Sequence, residues 1–234
     1  MKQVMLETLN QGLQTMGLDL PEEIRQTLCD FGAGVVKQNE VMNLTAITEP
    51  DRVAKLHLLD SLSVLTVAEL NGKTLIDVGC GAGFPGVPLK IACPGMKLTL
   101  LDSLGKRMNW LEMYLPTLGV QARYITARAE EAVAERRETF DFATSRAVAR
   151  LNILLELTAP YVKVGGCVLA MKGSAAREEL AEAKNAISKL GLKLEKVVDF
   201  QVEDATHSVI VLRKVKPTPA QYPRRYAKIK ASPL

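Results

Sequence analysis

The 234-residue sequence predicts an α/β fold, a mostly parallel sheet with helices on both faces behind an N-terminal helical extension. Three observations predict it. No strand signal precedes residue 74, short apolar runs then alternate with stretches of helical periodicity, and the first run ends in a glycine-rich loop. In sheets of this kind ligands bind beyond the carboxyl ends of the strands, near the point where strand order reverses.

Residues 1–66 read as helices. Leu6, Leu9, Leu13 and Met16 recur at helical spacing, and after Pro21 so do Ile24, Leu28, Phe31 and Val35. Thr48, Glu49, Pro50 and Asp51 predict a further helix start with Thr48 as its cap, ahead of Val53, Leu56 and Leu59. Strands are expected at 75–78, 97–101, 122–125, 140–144, 168–171 and 209–212. Helical stripes lie between them, at Met108, Leu111 and Leu115 and again at Leu151, Leu154 and Leu155. Pro217, Pro219 and Pro223 make the end of the chain a poor helix or strand. The expected organisation is therefore an extension over 1–66, a sheet domain over 67–216 and a basic arm over 217–234.

Composition narrows the function. With 47% hydrophobic and 24% charged residues the chain is an ordinary globular one, and no apolar stretch reaches the ~18 residues of a membrane span. Glu7 already interrupts the N-terminal pattern where a signal peptide would be apolar, so a cytoplasmic location is expected. Cys29, Cys80, Cys93 and Cys167 form no CxxC pair and the two histidines, His57 and His207, are far apart, which predicts neither a disulfide framework nor a metal site. The net charge of +4 hides an asymmetry. From Arg213 onward there are seven basic residues and no acid, so the rest of the chain is net negative. Such a segment, with Tyr222 and Tyr226 among its cations, reads either as a footprint for a nucleic acid or as a solvated tail.

Asp77-Val78-Gly79-Cys80-Gly81-Ala82-Gly83-Phe84-Pro85-Gly86 is the most informative stretch. Alternate glycines directly after a strand let the backbone approach a bulky ligand, and a helix starting near Phe84 would point its positive end at the same place. Gly81, Gly83 and Gly86 also satisfy the GxGxxG spacing of dinucleotide folds, and in either case an acid should end the second strand to accept ribose hydroxyls. Asp102 stands there. Asp77 and the glycines at 79, 81 and 83 favour S-adenosylmethionine, whereas an NAD(P)-dependent oxidoreductase remains the alternative. Gly72-Lys73-Thr74 lacks the upstream glycine of a Walker loop, and GxSxG, HExxH and EF-hand patterns are missing. His57 and His207 read as packed or surface side chains rather than catalysts.

The chain resembles the bacterial 16S ribosomal RNA guanine-N7 methyltransferases, the RsmG or glucose-inhibited division protein B family, almost end to end. Asn43-Leu44-Thr45, His57-Leu58-Leu59-Asp60-Ser61-Leu62, Asp77 through Gly86, Leu101-Asp102-Ser103 with Lys106-Arg107, Arg128-Ala129-Glu130, Ser145-Arg146-Ala147, Lys172-Gly173 and Tyr222-Pro223-Arg224-Arg225 carry the resemblance. Cys80 departs from it where many relatives have serine. The resemblance implies a Rossmann-like class I methyltransferase with a seven-stranded sheet, S-adenosylmethionine as cofactor and the small ribosomal subunit as partner. It implies cofactor contacts from Gly79, Phe84, Ala129, Glu130 and Arg146, with Asp102 on the ribose, and the glycine reading adds Gly81. A non-catalytic RNA-binding assembly factor that keeps the fold is the alternative from outside enzymology.

Guanine N7 carries a lone pair and no proton, so its methylation needs no general base and no catalytic residue of that kind is expected. RNA is expected on Lys106, Arg107, Lys172, Arg224, Arg225, Lys228 and Lys230, with Arg146 at the mouth of the site. Cutting the chain after Lys214 should then weaken RNA binding and spare cofactor affinity. A monomer is expected.

Overall fold

The computed structural model describes residues 1–234. Two long helices, α1 (Lys2–Met16) and α2 (Glu22–Asn39), open the chain. A continuous helical run follows, with a π-helical turn over Ala54–Leu59 between Pro50–Val53 and Asp60–Leu62. Its cap position is Glu49, one residue after the expected Thr48, and no side chain caps it. Pro50 at the first helical position supplies the fixed φ that starts the turn without one.

Seven strands form one sheet in the order β3-β2-β1-β4-β5-β7-β6. They are β1 (Thr74–Val78), β2 (Lys97–Asp102), β3 (Arg123–Thr126), β4 (Phe140–Arg146), β5 (Val162–Lys172), β6 (Leu192–Val202) and β7 (Ala205–Lys214). β1 to β5 are parallel, and β7 runs antiparallel to both β5 and β6. Strand order reverses at β1, which lies between β2 and β4.

Residues alternate across the sheet as period-two geometry requires. Leu98, Leu100, Leu169, Val209 and Val211 join a core on one face, while Leu101, Val168, Ala170, Ile210 and Leu212 join a core on the other. The extension belongs to the first core: Met5, Leu9 and Leu13 of α1 and Leu28, Phe31 and Val35 of α2 pack with Leu75 and Leu98. Burying each such side chain contributes roughly 1.5–3 kcal/mol, so the helices are bound as firmly as the sheet's own.

Two elements differ from expectation. β6 is an edge strand, mostly exposed and carrying Lys193, Glu195 and Lys196, and a bulge between Leu194 and Lys196 interrupts its apolar alternation. Residues 217–234 do not hang free. Thr218, Tyr222 and Ile229 are buried, and the segment ends in a helix, Tyr226–Ala231. No helix is long and apolar enough to cross a membrane.

Candidate functional site

The glycine loop leaves the end of β1 at the reversal point. Gly79, Gly81 and Gly83 have φ of 73°, 55° and 98°, the left-handed region that side chains avoid. The N–H groups of Gly79 and Cys80 donate to the Leu101 carbonyl at 2.8 and 3.2 Å, tying the loop to β2. Asp102 completes the turn by accepting from the Gly81 N–H and the Leu104 N–H, both at 2.9 Å. Cys80 points away from the loop's open side, its Sγ 3.7 Å from Met108 Sδ in the core.

Two cavities open beyond these strand ends. The first, about 420 Å³, is walled by Gly79, Gly81, Asp102, Leu104, Arg107, Ala129, Glu130, Leu157 and Tyr226. The second, about 520 Å³, is walled by Leu56, His57, Asp60, Arg146, Lys172, Glu179 and His207. Ala147 and Val148, just past the end of β4, line both. Ala147 holds φ at 56° without being glycine, and such strain, of order 1–3 kcal/mol, persists where surrounding structure enforces it.

Charged groups in the second cavity are bound to one another. Arg146 donates to Asp60 Oδ2 at 2.9 Å and to the Leu56 carbonyl of the π-helical turn at 2.8 Å. His207 Nδ1 lies 2.7 Å from Asp60 Oδ1. The buried His57 ring stacks on Phe84 at 4.7 Å and reaches Thr45 Oγ1 at 2.8 Å. Burial, followed by the Arg146 charge, pushes the His57 pKa down to about 4, so this ring is neutral. Its Nδ1 lies 3.2 Å from Arg146 Nη2 and 3.1 Å from the Leu56 carbonyl. Burial pushes the Asp60 carboxyl up, but the His207 hydrogen bond and Arg146 together outweigh it and hold the group below its ordinary value. The Asp60 hydrogen bond raises His207 in turn.

Gly79, Gly81, Asp102, Ala129 and Glu130 thus come together around the first cavity. Phe84 and Arg146 do not. Phe84 is buried between Phe31 and His57 with the Arg146 guanidinium 5.1 Å from its ring centroid, and Arg146 faces the second cavity. Among the cations expected on RNA, Lys172 is buried and paired with Glu179 at 2.8 Å. Arg224 is held by the fully buried Glu156 through its N–H, Nε and Nη2. Both are thus engaged in ion pairs within the protein. Lys106, Arg225, Lys228 and Lys230 remain exposed, and Arg107 donates to the Asn43 carbonyl at 3.2 Å. Asp60 and His207 carried no expected role. The His57-Leu58-Leu59-Asp60 motif was their only signal.

The family described as "GidB: rRNA small subunit methyltransferase G" matches residues 24–209. A protein of Alkaliphilus metalliredigens named ribosomal RNA small subunit methyltransferase G is 44% identical over 223 residues, 93% of each chain. The chain belongs to the rRNA small subunit methyltransferase G family. Its namesake in Caldanaerobacter subterraneus subsp. tengcongensis is 43% identical over the full length of both chains. The fold is shared more widely. M. jannaschii TYW2 in complex with AdoMet superposes with a TM-score of 0.53 at 14% identity, over 64% of this chain and 72% of that one. A 16S rRNA (adenine(1408)-N(1))-methyltransferase from Catenulisporales acidiphilia does so with a TM-score of 0.54 at 15% identity, over 64% and 88%.

A methyltransferase family with this fold draws its methyl group from S-adenosylmethionine, which decides between the two nucleotides that the glycine spacing left open. The residues of this methyltransferase G chain fit that donor. A Cβ added to Gly79 would lie 2.4 Å from Val148 Cγ2, so only glycine keeps the floor of the first cavity open at its shared wall. Behind the floor, Asp77 is fully buried. Its Oδ2 accepts from the Gly86 N–H at 2.8 Å while Oδ1 has no partner. Burial raises its pKa to about 7. Asp77 lines neither cavity and props the glycine loop from behind through Gly86.

Proposed function

We propose that the chain transfers a methyl group from S-adenosylmethionine to N7 of a guanine in the 16S RNA of the small ribosomal subunit. Family membership supports the RNA substrate, and one structural observation supports the division of labour. Two cavities of unlike chemistry meet at Ala147 and Val148, where a donor on one side and a base on the other would be in line.

S-adenosylmethionine supplies, when bound, a methyl group already activated on sulfur. Gly79, Gly81, Asp102, Ala129 and Glu130 hold and orient that donor in this reading, with Asp102 fixed by its two backbone donors. N7 of guanine needs no deprotonation, so the second cavity has to place a base, exclude water and tolerate the positive charge that methylation leaves on the ring. Holding the two reactants in line can contribute roughly 7–11 kcal/mol. Asp60 and Glu179 line this cavity already paired with Arg146 and Lys172, so the base would meet a wall of fixed, mutually compensated charges. N7 edges are out of reach within an A-form helix, so the guanine enters from a loop or is flipped out. Lys106, Arg107, Arg225, Lys228 and Lys230 are the candidate phosphate contacts.

The test is methyl transfer from labelled S-adenosylmethionine to naked 16S RNA, to mature small subunits and to assembly intermediates. One labelled guanine that becomes cleavable by borohydride and aniline, the chemistry of an N7-methylated base, is expected. Label on adenine, on an exocyclic amine, or nowhere in any of the three substrates would contradict the reading.

A further inference from the structure

The tail drew attention as a run of cations without acids, and the structure shows that much of it is tied inward. Thr218 donates through its N–H to Glu138 Oε1 at 2.7 Å and through Oγ1 to the Leu190 carbonyl at 2.9 Å. Arg137 donates to the carbonyls of Thr218 and Tyr222. Tyr222 fills a place in the second core, and Ile229 is fully buried. The strongest tie is Arg224 to Glu156, a carboxylate with no exposed surface that accepts from the Arg224 N–H at 2.8 Å and Nη2 at 2.6 Å. Removing one partner of a buried pair leaves an uncompensated charge, so this contact fixes the tail on the helix Leu151–Thr158.

Two residues after that anchor stands Tyr226, the first residue of the last helix. Its half-buried side chain lines the first cavity together with Val148, Leu157, Ala129 and Glu130. The last helix packs on Leu151–Thr158, which itself packs on the short helix Ala129–Ala132. Tyr226 therefore closes the side of the donor cavity where those two helices meet. A solvated RNA arm would put both of its tyrosines outside. Here one is core, and the other faces the place of the donor.

We propose that Tyr226 is a donor-binding residue, and that the C-terminal segment is a strap whose inner side completes the S-adenosylmethionine site while Arg225, Lys228 and Lys230 stay exposed on its outer side. The inference rests on the first cavity being the donor site. An aromatic ring is suited to the task because it gives a rigid apolar surface against a purine or a sulfonium at little cost in side-chain entropy. It also reverses an expectation of the sequence, that losing the tail would spare cofactor affinity.

S-adenosylhomocysteine is the probe, titrated calorimetrically into the full-length protein and its variants. Tyr226→Ala should weaken binding by about tenfold, and Tyr226→Phe, which keeps the ring, by no more than about twofold. In the wild-type protein the same ligand should shield Tyr226 from hydroxyl-radical labelling read by mass spectrometry, a measurement that holds even if the alanine variant folds poorly. Unchanged affinity in Tyr226→Ala, or labelling of Tyr226 indifferent to the ligand, would overturn the strap while leaving the donor site standing. A wild-type protein that binds no S-adenosylhomocysteine would instead overturn the donor site, and the strap with it.

Discussion

The first cavity is built around a glycine loop and ringed by a mixture of apolar and long polar side chains, whereas the second is walled largely by charged groups that already hold one another. Around Gly79 and Gly81 the chain gives up side chains to make room, and Asp102, one of two acids in the wall, is fixed by the N–H groups of Gly81 and Leu104. Around Asp60 room is bounded by Arg146, His207 and the π-helical turn, elements from three distant parts of the sequence. A donor of constant structure is met by a shape that local sequence builds. In the proposed division of labour the base meets an electrostatic arrangement that only the folded chain assembles, and that difference sets what each kind of substitution should do.

The largest expected effect lies in the second cavity. Asp60→Ala leaves Arg146 and His207 without their shared, nearly buried partner and should cost about 3–5 kcal/mol of stability, read by denaturant unfolding. A loss below about 1 kcal/mol would mean that the cluster is solvated and the contrast between the cavities is false. Gly79→Ala comes next. It places a Cβ against Val148 at a φ of 73°, so donor affinity should fall about tenfold or more, with a stability loss of only about 1–2 kcal/mol. Equal donor affinity would remove the glycine floor from the account.

Acid titration sharpens the comparison. The folded protein holds His57 at about 4 against an ordinary value near 6.5, so in that window the unfolded chain binds a proton that the folded chain refuses. Stability should fall as pH drops from 6.5 to 4, by at most about 1.4 kcal/mol per unit, and His57→Gln should flatten the slope. His207 works in the opposite sense: its raised pKa stabilises the fold below the ordinary histidine value and that contribution is lost as pH rises through the folded one. His207→Gln should therefore cost stability at pH 5.5 and little at pH 9. The smallest effect belongs to the surface. Lys228→Ala with Lys230→Ala should leave folding intact and reduce the slope of log RNA affinity against log salt by roughly 0.7 per charge removed.

Much of the fold was legible because burial has a period. Val209 and Val211 fall in one core and Ile210 and Leu212 in the other, a pattern that any apolar run of that kind announces. β6 was not, because the bulge between Leu194 and Lys196 breaks its alternation and charged residues fill its exposed positions. The first cavity was legible for a similar reason: alternate glycines after a strand have few other uses, and Asp102 follows at the end of the next strand. Asp60 was hidden, since a carboxylate beside a helical stripe looks solvated until Arg146 and His207 arrive from 86 and 147 positions away. The tie of Arg224 to Glu156, 68 positions earlier, was hidden in the same way. Local pattern reports shape, and long-range charge pairing leaves no local pattern.

The most direct test of the central claim is a crystal structure of the chain with S-adenosylhomocysteine. The account predicts the nucleoside and amino-acid portions in the Gly79, Asp102 and Glu130 cavity, with the sulfur facing Ala147 and Val148 and the Asp60 cavity open on the other side. Ligand seated among His57, Asp60 and His207 instead would reverse the two roles and contradict it.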